Sequence, residues 1–194
     1  MTKKEAIKII TSAASSYKEK MCEKQFLVAY REGGELHYSI VGFKAKNFKH
    51  FTGVVTNDTA GRFFEKALNN KLSEKDFDFD KIGNTLRKLT VLPALPRLFY
   101  GNALRGDFNN SGISIDADYY IGGTAVRIAV AFRRDKTYDF PVSLYCEDVR
   151  KLTNRTTKVL AVWCRSFGDS KFTQVTYCAK DIDAGTLLAE LNII

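Results

Sequence analysis

Apolar residues at Ala6, Ile9, Ile10, Ala13 and Tyr17 recur at helical spacing over residues 2–21, and Thr2 followed by Glu5 has the form of a capping box. Residues 25–31 and 35–43 are rich in β-branched and aromatic side chains and flank Glu32-Gly33-Gly34. Glycines take the positive φ of a tight turn without strain, so this stretch predicts an antiparallel hairpin. Asp58 or Thr59 is placed to cap a helix with an apolar face of Phe63, Phe64, Ala67 and Leu68, ending near Asn69-Asn70. Arg62, Lys66 and Lys71 fall on its outer side.

Residues 72–100 read as mixed. Asp76-Phe77-Asp78-Phe79 alternates like a strand, whereas Leu86, Leu89 and Leu92 are spaced like a short helix closed by Pro93 and Pro96. Strand-like runs follow at 104–108, 114–120, 125–132, 142–145, 158–165 and 172–178, with Gly122-Gly123, Arg133-Arg134-Asp135-Lys136 and Gly168-Asp169-Ser170 as turns. Residues 183–191 predict a last short helix. Helices early and strands late indicate an α+β fold, with helices on one face of an antiparallel sheet. With no linker, repeat or low-complexity tract, residues 1–194 are expected to form one domain.

Composition sharpens this picture in one respect. The chain of 194 residues is 45% hydrophobic and 12% aromatic, enough for a sizeable core, and its 30 Lys and Arg exceed 22 Asp and Glu to give a net charge of +8. Such an excess favours a polyanionic partner, although it also serves plain solubility. Cys22, Cys146, Cys164 and Cys178 form no C-x-x-C pair, and His37 and His50 lack the spacing of zinc ligands, so neither a metal nor another cofactor is expected. Cys164 and Cys178 read as small core residues. With no apolar run long enough to span a bilayer and no leader pattern, a reduced, soluble, cytoplasmic protein is expected.

The chemically richest stretch is Lys46-Asn47-Phe48-Lys49-His50-Phe51-Thr52-Gly53-Val54, which places a histidine among cations near a turn. Imidazole exchanges protons near neutral pH, so His50 is the natural centre for acid–base chemistry, although a histidine framed by two core aromatics also serves simply to fix a turn. Thr52-Gly53 suits a turn whose backbone N–H groups face an anion, and equally one that closes a strand. No G-x-G-x-x-G or phosphate-loop string points to a nucleotide cofactor.

Three blocks carry a resemblance. Phe43-x-x-x-Asn47-Phe48-x-His50-Phe51-Thr52-Gly53-Val54, then Phe63-Phe64-Glu65-Lys66-Ala67-Leu68 with Lys71-Leu72-Ser73, then Phe140-Pro141-Val142-Ser143-Leu144-Tyr145-x-x-Asp148-Val149-Arg150, resemble the phage-associated barnase/EndoU/colicin/RelE-like nucleases. The likeness covers residues 26–177, and the Asn-Phe-x-His string is its distinctive part. Two positions depart from the pattern. Arg165 stands where a lysine-rich strand end is usual, keeping the charge but not an amine's proton transfer, and Pro141-Val142-Ser143 replaces Pro-Asn-[Ser/Thr].

The resemblance implies metal-independent RNA cleavage, which needs the 2'-hydroxyl deprotonated, the 5'-oxygen protonated and the phosphorane charge stabilised. His50 suits either proton transfer, while strand alternation leaves His37 a solvated bystander. Arg165, with Lys88 or Arg87, would supply positive charge; Thr52, Gly53, Ser143 and Tyr177 would orient the phosphate. Arg133 and Arg134 would contact RNA from their turn, and the aromatics Phe99, Tyr100, Tyr119, Tyr120, Tyr138 and Phe140 lie near enough to basic residues to stack bases, about half of them facing the core instead. Two readings stay open. One is an endoribonuclease of a phage or mobile element that cleaves transfer RNA or a CRISPR guide RNA. The other is a non-catalytic basic inhibitor that binds RNA or a host nucleoprotein such as a CRISPR effector complex.

Overall fold

The computed structural model describes residues 1–108 and 116–193, and its first helix starts where the sequence places it. In α1 (Lys3–Lys20) the Thr2 hydroxyl accepts the Glu5 N–H while the Glu5 carboxylate accepts the Thr2 N–H, closing the capping box. Ala6, Ile10, Ala13, Ala14 and Tyr17 form its buried face. β1 (Lys24–Glu32) and β2 (Glu35–Phe43) pair antiparallel along their whole length, and Gly33 and Gly34 turn the chain between them at φ of 61° and 92°.

Four helical segments follow. These are α2 (Asn47–Thr52), α3 (Ala60–Leu68), capped by the Thr59 hydroxyl, α4 (Asn84–Val91) and a 3-10 helix (Leu92–Leu98) whose first turn holds Pro93. Then come β3 (Ala103–Asp107), β4 (Tyr119–Gly123), β5 (Ala129–Arg133), β6 (Phe140–Tyr145), α5 (Val149–Leu152), β7 (Thr157–Ser166), β8 (Gln174–Cys178) and α6 (Ala184–Glu190).

The strands form a sheet in the order β2-β1-β7-β3-β4-β5-β6, with β8 paired to β7 beside β3. All these pairings are antiparallel. The sheet curls until its ends meet: Asp139 donates to Ile40 and receives Gly42 through backbone hydrogen bonds of 2.7 and 2.8 Å. This closure seats the start of β6 beside the end of β2, and α2 leaves β2 three residues later. It is therefore what brings α2 and β6 together.

On one face, Phe26, Phe43, Phe132 and Val162 pack against the helices through Tyr17, Phe48, Phe51, Phe63, Leu89 and Phe99. Each fully buried side chain of this size contributes roughly 1.5–3 kcal/mol. The helices of the first half thus cover one face of the antiparallel sheet, as expected, and the opposite face is covered by the two short later helices. Leu27, Ala29, Ala161 and Trp163 meet Leu187 of α6, and Tyr120, Ala129 and Ala131 meet Val149 and Leu152 of α5. β1 and β7 are thus sandwiched on both faces.

Local readings change as well. Gly122 and Gly123, expected in a turn, end β4, because a side chain on Gly122 would lie 2.4 Å from Val149 and prevent α5 from packing there. The strand expected from Ser114 begins at Tyr119, and Ser114 itself lies outside the described residues. The cysteines are free thiols, Cys22 and Cys164 buried and Cys146 and Cys178 half-buried.

Candidate active site at the junction of α2, α4 and β6

The motif around His50 is a helix rather than a loop before one. Phe48 and Phe51 are fully buried, so α2 is pinned by its aromatics and His50 projects outward, exposed. Gly53 ends the helix in the left-handed conformation, at φ 69°. Thr52 is wholly buried: its hydroxyl donates to the Lys49 carbonyl and accepts the Val54 N–H. The sequence reading offered the Thr52 hydroxyl as a phosphate contact, whereas here it is buried and shapes the turn that Gly53 closes.

What the turn encloses is a lysine. Lys88 of α4 is only 6% exposed, and its Nζ donates to the His50 carbonyl and to Ser143 Oγ of β6, both at 3.0 Å. Gly53 makes room for the Lys88 stem, since a Cβ there would lie 2.8 Å from Lys88 Cδ. Thr85, one turn earlier on α4, donates from its hydroxyl to the Gly53 carbonyl at 2.6 Å. Asp80 accepts the Thr85 and Asn84 N–H groups at 2.6 and 3.0 Å, fixing the start of α4.

Burial costs an ammonium group its hydration, and this pulls the Lys88 pKa down from 10.5 to about 8, partly opposed by the negative charge of Asp80. The Asp80 carboxyl is itself held below its ordinary value, chiefly by the Thr85 backbone hydrogen bond. At His50, partial loss of solvent and then the charges of Lys88 and Lys49 lower the imidazole below 6.5. The site therefore pairs an exposed imidazole that is largely neutral at pH 7 with a largely charged amine that titrates near pH 8.

Ser143 links that amine to the surface. It is half-exposed, accepts from Lys88 and hydrogen-bonds through its own hydroxyl to Tyr145. Tyr145, two residues on along β6, lies beside it; burial raises its phenol pKa and the Ser143 hydroxyl acts in the other direction. A cavity of about 430 Å3 opens alongside, lined by Asn84, Arg87, Tyr145 and Lys151. Tyr145, Asp80 and Thr85 were not singled out from sequence, although strand alternation from Ser143 already put Tyr145 on the same face.

The remaining sequence candidates stand elsewhere. Arg165 donates to Gln25 Oε1 at 2.9 Å and the Ser170 carbonyl at 2.8 Å, and lies over the Phe172 ring. Those partners are not part of the Lys88 cluster. Tyr177 of β8 donates to Asn102, Arg133 pairs with Asp116, and Arg134 pairs with Asp107 at 3.4 Å and sits over Tyr119. His37 stacks on Tyr30 in the β1–β2 hairpin. The structure thus unites His50, Thr52, Gly53, Lys88 and Ser143 from the sequence-derived set, sets Arg87 on the cavity beside them and leaves Arg165, Tyr177, Arg133 and Arg134 apart. Among the described residues no cluster of His, Cys, Asp or Glu is arranged to hold a metal ion, and no helix is long and apolar enough to cross a membrane.

An N-terminal helical layer on a curled antiparallel sheet is the α+β architecture expected of a barnase-like nuclease. The chain belongs to the phage-Barnase-EndoU-ColicinE5/D-RelE like nuclease 4 family, whose model matches residues 9–180. Comparison with curated proteins and with solved structures gives no match. Membership defines a phage-type nuclease with a nucleic-acid substrate.

Proposed function

We propose that this nuclease is a metal-independent endoribonuclease that cleaves by attack of the ribose 2'-oxygen on the adjacent phosphorus. The observation that carries the reading is the buried Lys88 amine, with its pKa at about 8, hydrogen-bonded to half-exposed Ser143 and to the backbone of the residue bearing an exposed, neutral imidazole. Neutral His50 takes the proton of the 2'-hydroxyl. The Lys88 ammonium behind Ser143 offsets the negative charge that accumulates on the phosphoryl oxygens. The 5'-oxygen leaves with a proton relayed from Lys88 through Ser143, giving a 2',3'-cyclic phosphate and a 5'-hydroxyl. Side chains supply both proton carriers and the cation, so the chemistry needs no metal.

The substrates to try are structured RNAs, transfer RNA and CRISPR guide RNA among them. Incubation in EDTA followed by end mapping tests the reaction: cyclic-phosphate ends are expected, an RNA with 2'-deoxy substitution at the cleaved position should resist, and 3'-hydroxyl ends would contradict the mechanism. One observation favours the non-catalytic reading. Arg165 is committed to Gln25, Ser170 and Phe172, leaving the cluster without the guanidinium expected there. His50→Ala separates the two, since His50 is exposed and its loss spares the core. Cleavage is expected to fall by about 10²–10⁴-fold with RNA affinity retained; an inhibitor of a host nucleoprotein would show no cleavage before or after.

A further inference from the structure

A second cavity, of about 240 Å3, lies where the curled sheet closes, between the end of β2 and the start of β6. We infer that it is a subsite for a single nucleobase of the RNA strand, next to the scissile phosphate; this deepens the ribonuclease reading and rests on it. Its volume falls below the ~300–1,000 Å3 of drug-sized pockets and suits one flat ring system.

The built feature is Asn47. Its side chain is 8% exposed and lines the cavity, and its Oδ1 accepts the Lys44 N–H at 2.7 Å. That bond fixes which end of the amide is oxygen, so the other end is the Nδ2 donor. Among the described residues Nδ2 has no hydrogen-bond partner. Nδ2 keeps access to the solvent of the cavity, so it can donate to an acceptor that enters there. The carbonyl oxygens and ring nitrogens of nucleobases are such acceptors.

The walls suit a base as well. Tyr138 and Phe140 are half-buried aromatics lining the cavity, and Tyr138 packs edge-on with Phe167 at 5.1 Å between ring centroids. Gly42 permits this, because a Cβ there would lie 2.4 Å from the Tyr138 ring. Lys44 Nζ lies 5.8 Å from the Tyr138 ring centre and 5.0 Å from that of Phe167, and Lys46 is exposed beside it, so flanking phosphates meet positive charge. Asp135 also lines the cavity, its carboxylate accepting the Lys136 N–H at 2.5 Å. A carboxylate there opposes a bare phosphate inside the cavity and accepts hydrogen bonds from the N–H groups of a base.

Position ties the cavity to the reaction. Asn47 and His50 are three apart on α2 and so are neighbours on its surface. Phe140 and Ser143 are three apart on β6, about 10 Å along the strand. A strand with its phosphate at Ser143 and His50 therefore carries the neighbouring base to the cavity, where it stacks and meets Asn47.

Binding of fluorescently labelled 2'-fluoro oligonucleotides, each of one base type, tests this without cleavage. The wild-type protein is expected to prefer one base, and Asn47→Asp, which keeps the Oδ1 acceptor and removes the donor, is expected to weaken that sequence roughly tenfold and level the preference. Tyr138→Leu removes the stacking wall and serves as the second variant if Asn47→Asp does not fold. Equal wild-type affinity for all bases overturns the inference, as does a preference that a folded variant leaves intact. A base preference that depends on Asn47 in a protein that cleaves no RNA would sink the catalytic reading alone, and cleavage without base preference would sink only the subsite.

Discussion

Lys88 holds its place at a cost. Lowering an amine from 10.5 to about 8 disfavours the folded state at pH 7 by on the order of 3 kcal/mol. The unfolded chain binds the proton more tightly, so stability gained from this residue is absent below pH 8 and rises as pH climbs from about 8 to 10.5. Chemical denaturation across that window is expected to show the rise in the wild type and lose that contribution in Lys88→Met; an equal slope in both would contradict the burial argument. Gly53→Ala should cost about 1–2 kcal/mol from left-handed strain alone and push the lysine stem aside, lowering cleavage as well as thermal stability. His50 and the string around it were legible in the sequence, because a histidine among lysines declares its chemistry. The burial of Lys88 was not. Leu86, Leu89 and Leu92, three apart, marked a short helix, and Leu89 and Leu92 are buried, yet Leu86 is 37% exposed while Lys88, which apolar spacing does not select, is 6% exposed.

Caps and alternation were the most readable signals at the scale of elements. Thr2 with Glu5, Thr59 and Asp183 all cap the helices that follow them. Glycine was ambiguous because its small size serves turns and close packing alike: Gly33-Gly34 is a turn, but Gly122-Gly123 is a strand against α5. Asp80 went unread, since it anchors α4 from outside the helix, across Gly83. Asp80→Ala frees two backbone donors and should destabilise the protein by ~1 kcal/mol. The carboxylate also supports the charged form of Lys88, so its removal should shift the alkaline limb of activity to lower pH. An unshifted limb would mean that α4 positions the lysine without electrostatic help from its own start.

Across the whole molecule, the site depends on sheet closure, a contact between residues about one hundred positions apart that no local pattern reveals. α2 comes from the edge of β2 and Ser143 from β6, and the Asp139 bonds to Ile40 and Gly42 set them side by side. The α+β class was readable, whereas this junction was not. Net charge was the other global signal, and +8 is consistent with a polyanionic substrate. Binding of a non-cleavable RNA is expected to weaken linearly on a logarithmic salt scale, through release of counterions. Affinity that ignores salt would take RNA off the list of partners.

The most direct test is the pH dependence of single-turnover RNA cleavage in EDTA, from about pH 5 to about pH 10, for the wild type and Lys88→Met. The wild-type rate should rise as His50 loses its proton below 6.5 and fall as Lys88 loses its own near pH 8. A folded Lys88→Met should be slower by roughly 10²–10⁴-fold and lack the falling limb. Wild-type rates with an unchanged profile in Lys88→Met would contradict a reaction built on the buried amine.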